Sequence, residues 1–366
     1  MNNKVHLFYN LRMRIFIFLL VISNLAFGIS FNLKEKILLD SKTCILQYNT
    51  GIALLDNGSI LFSDGRACDF KIFNKKGELL KTFGRKGEGP DEFFGNYLVD
   101  YNDGRAVIMN RGRVELIVYE IDNKLDFIKR KSFGLFALDA SMHNDKIVLC
   151  RLPMLDPNGT MFSCFKLDLE TKKIDYLIPT RMIFGENPVE LKSDQTNQMQ
   201  DVAALNLNSY CDMQAQFSFM VWQGNWQVMK LDMNTKKLTR FGKKPEHYIQ
   251  PYASRDLKQS FQAGNYKKVE EIYQNMSWMV DVIAWKEFIF AFYVTYDREF
   301  SRWQTYVQVY NGKEELLLNT KLEGLYSLER FVSIQMNKKS GQLIGLAHFL
   351  DGNGEDQYKI LKYEIK

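Results

Sequence analysis

Between Asp56 and Phe93 short apolar runs alternate with polar turn clusters: Ile60 to Ser63, Phe70 to Phe73 and Leu79 to Phe83 are each bounded by Gly, Asn, Asp or Lys. Runs this short, rich in Phe and Ile, read as β-strands rather than helix turns. Asn57-Gly58 supplies the positive φ that a tight hairpin turn needs, and Lys76-Gly77 turns the chain again before Leu79. A sheet unit of this size cannot bury both faces alone, so further copies should follow along the chain.

They follow in order. A second unit spans Asn96 to Phe133, with Asp103-Gly104 as its turn and Ala106 to Met109, Val114 to Tyr119 and Phe127 to Phe133 as strands. A third spans Leu135 to Pro179, with strands at Lys146 to Cys150, Met161 to Leu167 and Ile174 to Ile178. Its phrase Leu167-Asp168-Leu169-Glu170-Thr171-Lys172-Lys173 returns about 64 positions later as Leu231-Asp232-Met233-Asn234-Thr235-Lys236-Lys237, before the strand Leu238 to Phe241. Fifth and sixth units cover Trp278 to Thr320 and Arg330 to Lys366. The expectation is an all-β, six-bladed β-propeller with blades near 44–84, 95–134, 135–180, 205–244, 277–320 and 325–366. The last blade runs out of chain after three strands, and an unpaired edge is a liability. The segment Phe31 to Leu39 is therefore expected to pair outside Tyr358 to Ile365 and close the ring. One insertion, 245–276, breaks the strand rhythm. Ser254 can cap a helix over Arg255 to Gln262 and Asn265 another over Tyr266 to Gln274, with Gly264 between them.

With these phrases in view the chain resembles the NHL/TolB-like six-bladed β-propellers, in the form found among secreted and surface proteins of Gram-negative anaerobes. The likeness is carried by Leu61-Phe62-Ser63-Asp64 followed by Lys71-Ile72-Phe73, and by the inter-blade loop Phe83-Gly84-Arg85-Lys86-Gly87-Glu88-Gly89-Pro90-Asp91-Glu92-Phe93. Later blades share only the rhythm, and Asp69 stands where many such repeats carry a basic residue. The resemblance implies that the strands of each blade run outward from the channel as A, B, C and D. It also implies that the B–C loops and D–A connections share one face. Propellers host lyases, hydrolases, binders and scaffolds, so the fold alone names no activity.

The N-terminus changes the expected compartment. Lys4, Arg12 and Arg14 form a basic region, Ile15 to Ile22 an apolar stretch, and Ala26-Phe27-Gly28 a small-residue cleavage site. This reads as a cleaved secretory leader over 1–28, with Met13 as an alternative start, leaving one propeller domain over 29–366. The apolar stretch is too short to span a bilayer, and no cysteine follows it to take a lipid anchor. The expected location is the periplasm or the extracellular space. Cleavage removes three basic residues and no acidic one, and the formal charge falls from +5 to +2. A near-neutral chain lacks the basic face that nucleic-acid binding requires. The five cysteines, Cys44, Cys68, Cys150, Cys164 and Cys211, show no CxxC spacing. Cys150 and Cys164 could face each other across blade three, though all five suit small buried positions.

Candidate binding residues gather in the segments assigned to one face, because irregular loops on a rigid scaffold are where recognition concentrates. They are Asp64, Arg66, Arg85, Asn110, Arg111, Arg113, Arg151, Trp222 and Arg298. Planar guanidinium forks favour a carboxylate, sulfate or phosphate ligand. The alternative is that they pair with Asp64, Glu88, Asp91, Asp297 and Glu299 as solvated loop charges. Trp222, Trp226 and Trp303 suit stacking on a ligand or wedging between blades. Catalytic chemistry is thinly supplied: only His143, His247 and His348 lie beyond the leader, in no metal-ligand spacing. Gly84-x-x-Gly87-x-Gly89 lacks the Lys-Ser/Thr of a phosphate loop, and Asp351 to Asp356 lacks the spacing of a calcium loop. The reading is a monomeric binding protein without catalytic residues, metal or cofactor, taking a protein partner or an anionic glycan or peptide. The alternative is a hydrolase or lyase at the channel mouth.

Overall fold

The computed structural model describes residues 29–40, 49–155, 161–179, 209–251, 255–328 and 333–366. The leader, the connection from Thr180 to Ala204 and the Ser254 cap lie outside the described residues. Six four-stranded antiparallel sheets form the blades of a propeller. In order of strands A to D, blade one is Asn49–Leu54, Ile60–Asp64, Asp69–Phe73 and Leu79–Phe83. Blade two is Asn96–Asn102, Arg105–Asn110, Glu115–Ile121 and Phe127–Phe133, and blade three is Asp139–His143, Lys146–Leu155, Met161–Asp168 and Ile174–Pro179. Blade four is Ser209–Gln214, Phe217–Trp222, Asn225–Asp232 and Leu238–Phe241, and blade five is Ser277–Trp285, Phe288–Asp297, Arg302–Tyr310 and Leu316–Ser327.

Blade six supplies Ile334–Asn337, Gln342–Leu350 and Asp356–Ile365, and its outermost strand is Phe31–Leu38 from the other end of the chain. The pairing runs from Phe31 opposite Ile365 to Leu38 opposite Lys359, with one irregularity between Leu33 and Glu35. Ser30 and Lys366 exchange both backbone hydrogen bonds beyond the strand ends, at 3.0 and 3.1 Å. The N-terminal strand thus closes the ring as its length and position imply. Where it leaves blade six it passes Gly77, whose amide oxygen accepts from Asp40 at 3.0 Å. A Cβ on Gly77 would lie 2.1 Å from the Leu38 oxygen, and its φ of +87° is itself a glycine conformation.

The turns explain why the strand rhythm was readable. Each C–D turn of blades one to five opens on an Asn or Asp whose Oδ1 accepts backbone N–H groups of the turn. Asn74 binds Lys76 and Glu78, Asp122 binds Lys124 and Asp126, and Asn311 binds Lys313 and Glu315. In the repeated phrase Asp168 binds Glu170 and Thr171, and Asp232 binds Asn234 and Thr235. Lys172 and Lys236 take the left-handed conformation at the same point of each copy. Blade six has no such turn because its fourth strand comes from elsewhere in the chain.

The core is divided among the junctions between neighbouring blades. Leu61, Phe70, Phe93 and Tyr119 pack blade one on two, and Phe219, Tyr248, Tyr293 and Tyr310 pack blade four on five. The largest wedge, between blades five and six, contains Trp278, Trp303, Phe290 and Tyr363. The insertion forms two helices, α1 (Arg255–Gln262) and α2 (Tyr266–Tyr273), and Asn265 caps α2 by accepting the Lys268 N–H. Leu257 of α1 and Val269 and Tyr273 of α2 are buried in that same wedge. Among the described residues no helix is long and apolar enough to cross a membrane.

Candidate functional site

The alternation of strand directions puts the B–C loops and D–A connections on one face, and there the loops of blades one and two are laced into one surface. Gly84 opens the connection at φ +83°, where a Cβ would meet the Phe93 ring at 2.5 Å. The Glu92 carboxylate folds back to accept the Gly89 N–H at 2.6 Å and to pair with Arg85 at 2.6 Å. The backbone bond from Gly89, then Arg85, hold that carboxyl below its ordinary pKa. Gly95 donates to the Cys68 sulfur of the neighbouring B–C loop at 3.3 Å, and Gly112 donates to the Phe94 oxygen at 2.8 Å.

The residues expected to bind divide into two kinds. Asp64 and Asn110 are buried and serve the backbone. Asp64 Oδ1 accepts from the N–H groups of Arg66 and Ala67 at 3.2 and 3.0 Å, and its Oδ2 pairs with Lys71 at 3.3 Å. Asn110 accepts the Phe94 N–H at 3.1 Å and donates to the Glu92 oxygen at 3.5 Å. Neither can be reached from the face; they shape the loops that carry the arginines. Arg66, Arg111 and Arg113 are exposed. Arg111 lies over the Tyr97 ring at 5.0 Å, and Arg113 donates to the backbone oxygens of Glu88 and Gly89.

Three acids of these loops are engaged elsewhere, while the exposed Glu88 carboxylate lies in no ion pair among the described residues. Asp64 is bound as above, Asp91 accepts the Tyr119 hydroxyl at 2.7 Å, and Glu92 takes Arg85. Among the described residues no carboxylate lies within ion-pair distance of Arg66, Arg111 or Arg113. Arg85 is paired, Arg298 donates to the Asn275 side chain at the end of the helical insertion, and the Arg151 side chain lies outside the described residues. Trp222 is half-buried with its ring against Gly224, packed against the blade three to four cluster and against the large cluster that holds the helical insertion. Trp303 is fully buried in the core and Trp226 is half-buried against Phe241 and Tyr310. The insertion covers the adjacent loop, where Tyr248 donates to the Gln223 oxygen at 3.4 Å and Gln250 to that of Gly224.

The central channel holds what the sequence reading missed. A cavity of about 150 Å³ is lined by the A strands of all the blades and carries Asp100, Asp139, Asp212 and Asp281, one from each of blades two to five. Three of them tie their blade to the next: Asp100 accepts the Met142 N–H at 2.6 Å, Asp139 that of Cys211 at 2.6 Å, and Asp212 that of Ala284 at 2.8 Å. Gln335 does the same from blade six to Leu54 of blade one at 3.3 Å. Lys338 reaches in from blade six to Asp212 at 2.5 Å, and Ser141 donates to the same carboxyl at 2.7 Å. Burial raises the Asp100 carboxyl to about 6 against the pull of Lys338, and raises Asp139 and Asp281 well above the ordinary range. The signal was present as a lone Asp in an apolar run in each of blades two to five: Leu98-Val99-Asp100, Leu138-Asp139-Ala140, Cys211-Asp212-Met213 and Val280-Asp281-Val282.

Blade count, ring closure and an open loop face define this chain as a six-bladed β-propeller. The solved structures it is similar to are propellers of the same extent. One is a member of the DUF4221 family from Bacteroides vulgatus, at 13% identity and a TM-score of 0.59, covering 93% of this chain and 99% of that one. Another is a candidate exported protein from Bacteroides fragilis, at 14% identity and a TM-score of 0.55, covering 92% and 95%. At these identities the likeness is one of fold. No family model matches the sequence, and no curated protein matches it.

Proposed function

We propose that this chain is an exported, monomeric, NHL-like propeller that binds an anionic ligand, a glycan or peptide bearing carboxylates or sulfates, on its loop face without chemical turnover. The observation that carries the reading is the trio Arg66, Arg111 and Arg113, exposed on adjacent laced loops and in no ion pair, with Asp64, Asp91 and Glu92 of those loops bound elsewhere. The Arg111 and Arg113 guanidinium groups, held by ring and backbone contacts, lose little freedom on meeting a carboxylate or sulfate. Export is supported by the leader-like N-terminus and by likeness to the candidate exported propeller. Formal charge near +2 after loss of the leader disfavours nucleic acid as the partner. The competing reading places a hydrolase or lyase at the channel. Three of the four channel acids make inter-blade bonds, which accounts for them without chemistry.

The test is a thermal-shift series with heparin-like and uronic-acid oligosaccharides and with Glu-rich peptides. A ligand at 100 times its dissociation constant stabilises by about 2.7 kcal/mol, which raises the melting temperature of a chain this long by about 4 °C. Replacing Arg66, Arg111 and Arg113 together by Ala should remove the shift. An unchanged shift in the triple variant shows that the arginines are ordinary surface charges.

A further inference from the structure

The three cysteines near blade three form one contact group. Cys150 and Cys164 stand directly opposite each other on paired strands of that blade. Residues so placed have Cα atoms roughly 4.5–5.5 Å apart, within the range of about 4.4–6.8 Å that a disulfide spans. Cys211 comes from the innermost strand of blade four, and its thiol donates to the Val148 oxygen at 3.6 Å. The Cys150 thiol hydrogen-bonds both Cys164 and Cys211, so it is the sulfur common to two pairs. All three are free and buried within the blade three to four wedge. Among the described residues no group of three His, Cys, Asp or Glu side chains is disposed to hold a metal ion, so the contact is thiol to thiol.

We propose that the oxidised protein carries a disulfide between Cys150 and Cys164, with Cys211 as the reserve partner of Cys150. The bond forms when the two thiols lose two protons and two electrons to a small-molecule disulfide, which leaves as two thiols. An exported chain meets such oxidants. The step itself depends only on the geometry and not on what the loop face binds. Contact with Cys164 pushes the Cys150 thiol up and burial pushes the Cys211 thiol up, so thiolate is scarce in the folded state. The partner of Cys150 is therefore chosen as blades three and four assemble. A bond to Cys164 clamps the strands Lys146–Leu155 and Met161–Asp168 to each other, whereas a bond to Cys211 ties blade three to blade four.

The test refolds the full chain with oxidised glutathione, alkylates remaining thiols in acid and maps peptides without reduction. The expected map joins Cys150 to Cys164 and finds Cys211 alkylated. Cys164→Ser should move the bond to Cys211, and Cys150→Ser should leave both other thiols alkylated. Melting of the oxidised and reduced parent gives a second readout independent of the variants, with the oxidised form the higher by several degrees. A parent with Cys150 alkylated, bonded to Cys211 or carrying glutathione overturns the proposal. So does a Cys164→Ser protein with Cys150 left free, or a Cys150→Ser protein that joins Cys164 to Cys211.

Discussion

Replacing Asp100 by Asn should make the propeller less sensitive to a rise of pH through the weakly acid range, and the structure sets the size of the effect. Asp100 lies among the A strands, and burial raises its carboxyl from the ordinary 3.8 to about 6. A group whose pKa is higher in the folded state favours folding while protonated, and that contribution is lost as pH rises through the folded value. The window therefore opens near pH 4 and is complete by about pH 7. A shift of roughly two units is worth about 3 kcal/mol at 1.36 kcal/mol per unit. Asp100 retains some exposure to the open channel, so screening brings the expected difference down to about 1–2 kcal/mol. The Asn oxygen can still accept the Met142 N–H, and Lys338 keeps Asp212 as its partner. The assay is urea unfolding of parent and variant at pH 4.5, 6 and 7.5. The variant should gain about 1–2 kcal/mol on the parent between the first and last pH. Asp139 and Asp281 slope the same way, and because the Asp100 charge helps to raise both, its removal eases their slopes and adds to the difference in the same direction. Parallel profiles, or a variant that loses ground as pH rises, would refute a buried, raised carboxyl at this position.

Three shorter expectations follow from the same structure. Deleting residues 30–40 removes the buried Ile37 and Leu39 and bares the edge of the strand Asp356–Ile365, so stability should fall by on the order of 5 kcal/mol and the protein should aggregate by light scattering; a monomeric, equally stable truncation would show that the ring closes otherwise. Gly77→Val meets the Leu38 oxygen as well as a left-handed backbone and should cost about 2 kcal/mol or more in chemical denaturation, whereas Gly354→Ala, at φ +80° with open space around it, should cost about 1 kcal/mol; equal costs would mean that the closing strand does not press on Gly77. Chelator should leave the melting temperature of the purified protein unchanged within a degree, and a drop of several degrees would reveal a structural metal.

Much of this fold could be read from the chain because its outer strands obey local rules. Leu79 to Phe83 alternates exposure on a sheet edge, and Asp168 and Asp232 announce their turns by the same side-chain bonds in both copies. Ring closure was legible by counting, since blade six lacked one strand and Phe31 to Leu39 had no other place. The A strands of blades one to five escaped notice because they are surrounded by other blades, so alternation gives way to mixtures such as Tyr210-Cys211-Asp212-Met213. Side-chain allegiance on the loop face was equally out of reach. Asp64, grouped with the ligand arginines by position, turns inward to Lys71, and Asp91 finds Tyr119 in the next blade. Such choices depend on how loops of different blades pass one another, and no local pattern records that.

The joint at blade six also sets an order of events. Phe31–Leu38 is among the first strands to be synthesised, and the residues it pairs with, Lys359 to Ile365, are among the last. In a chain delivered vectorially, five blades can gather before the sixth has its outer strand, while the early segment waits with its hydrogen-bonding edge unmatched. Completion of the ring then waits on synthesis of the strand Asp356–Ile365. Because Ser30 and Lys366 end up hydrogen-bonded to each other, a short linker across that joint, with new termini opened in a connection between blades such as the exposed one at Gly134 between blades two and three, would let the sixth blade form from contiguous chain and abolish the wait.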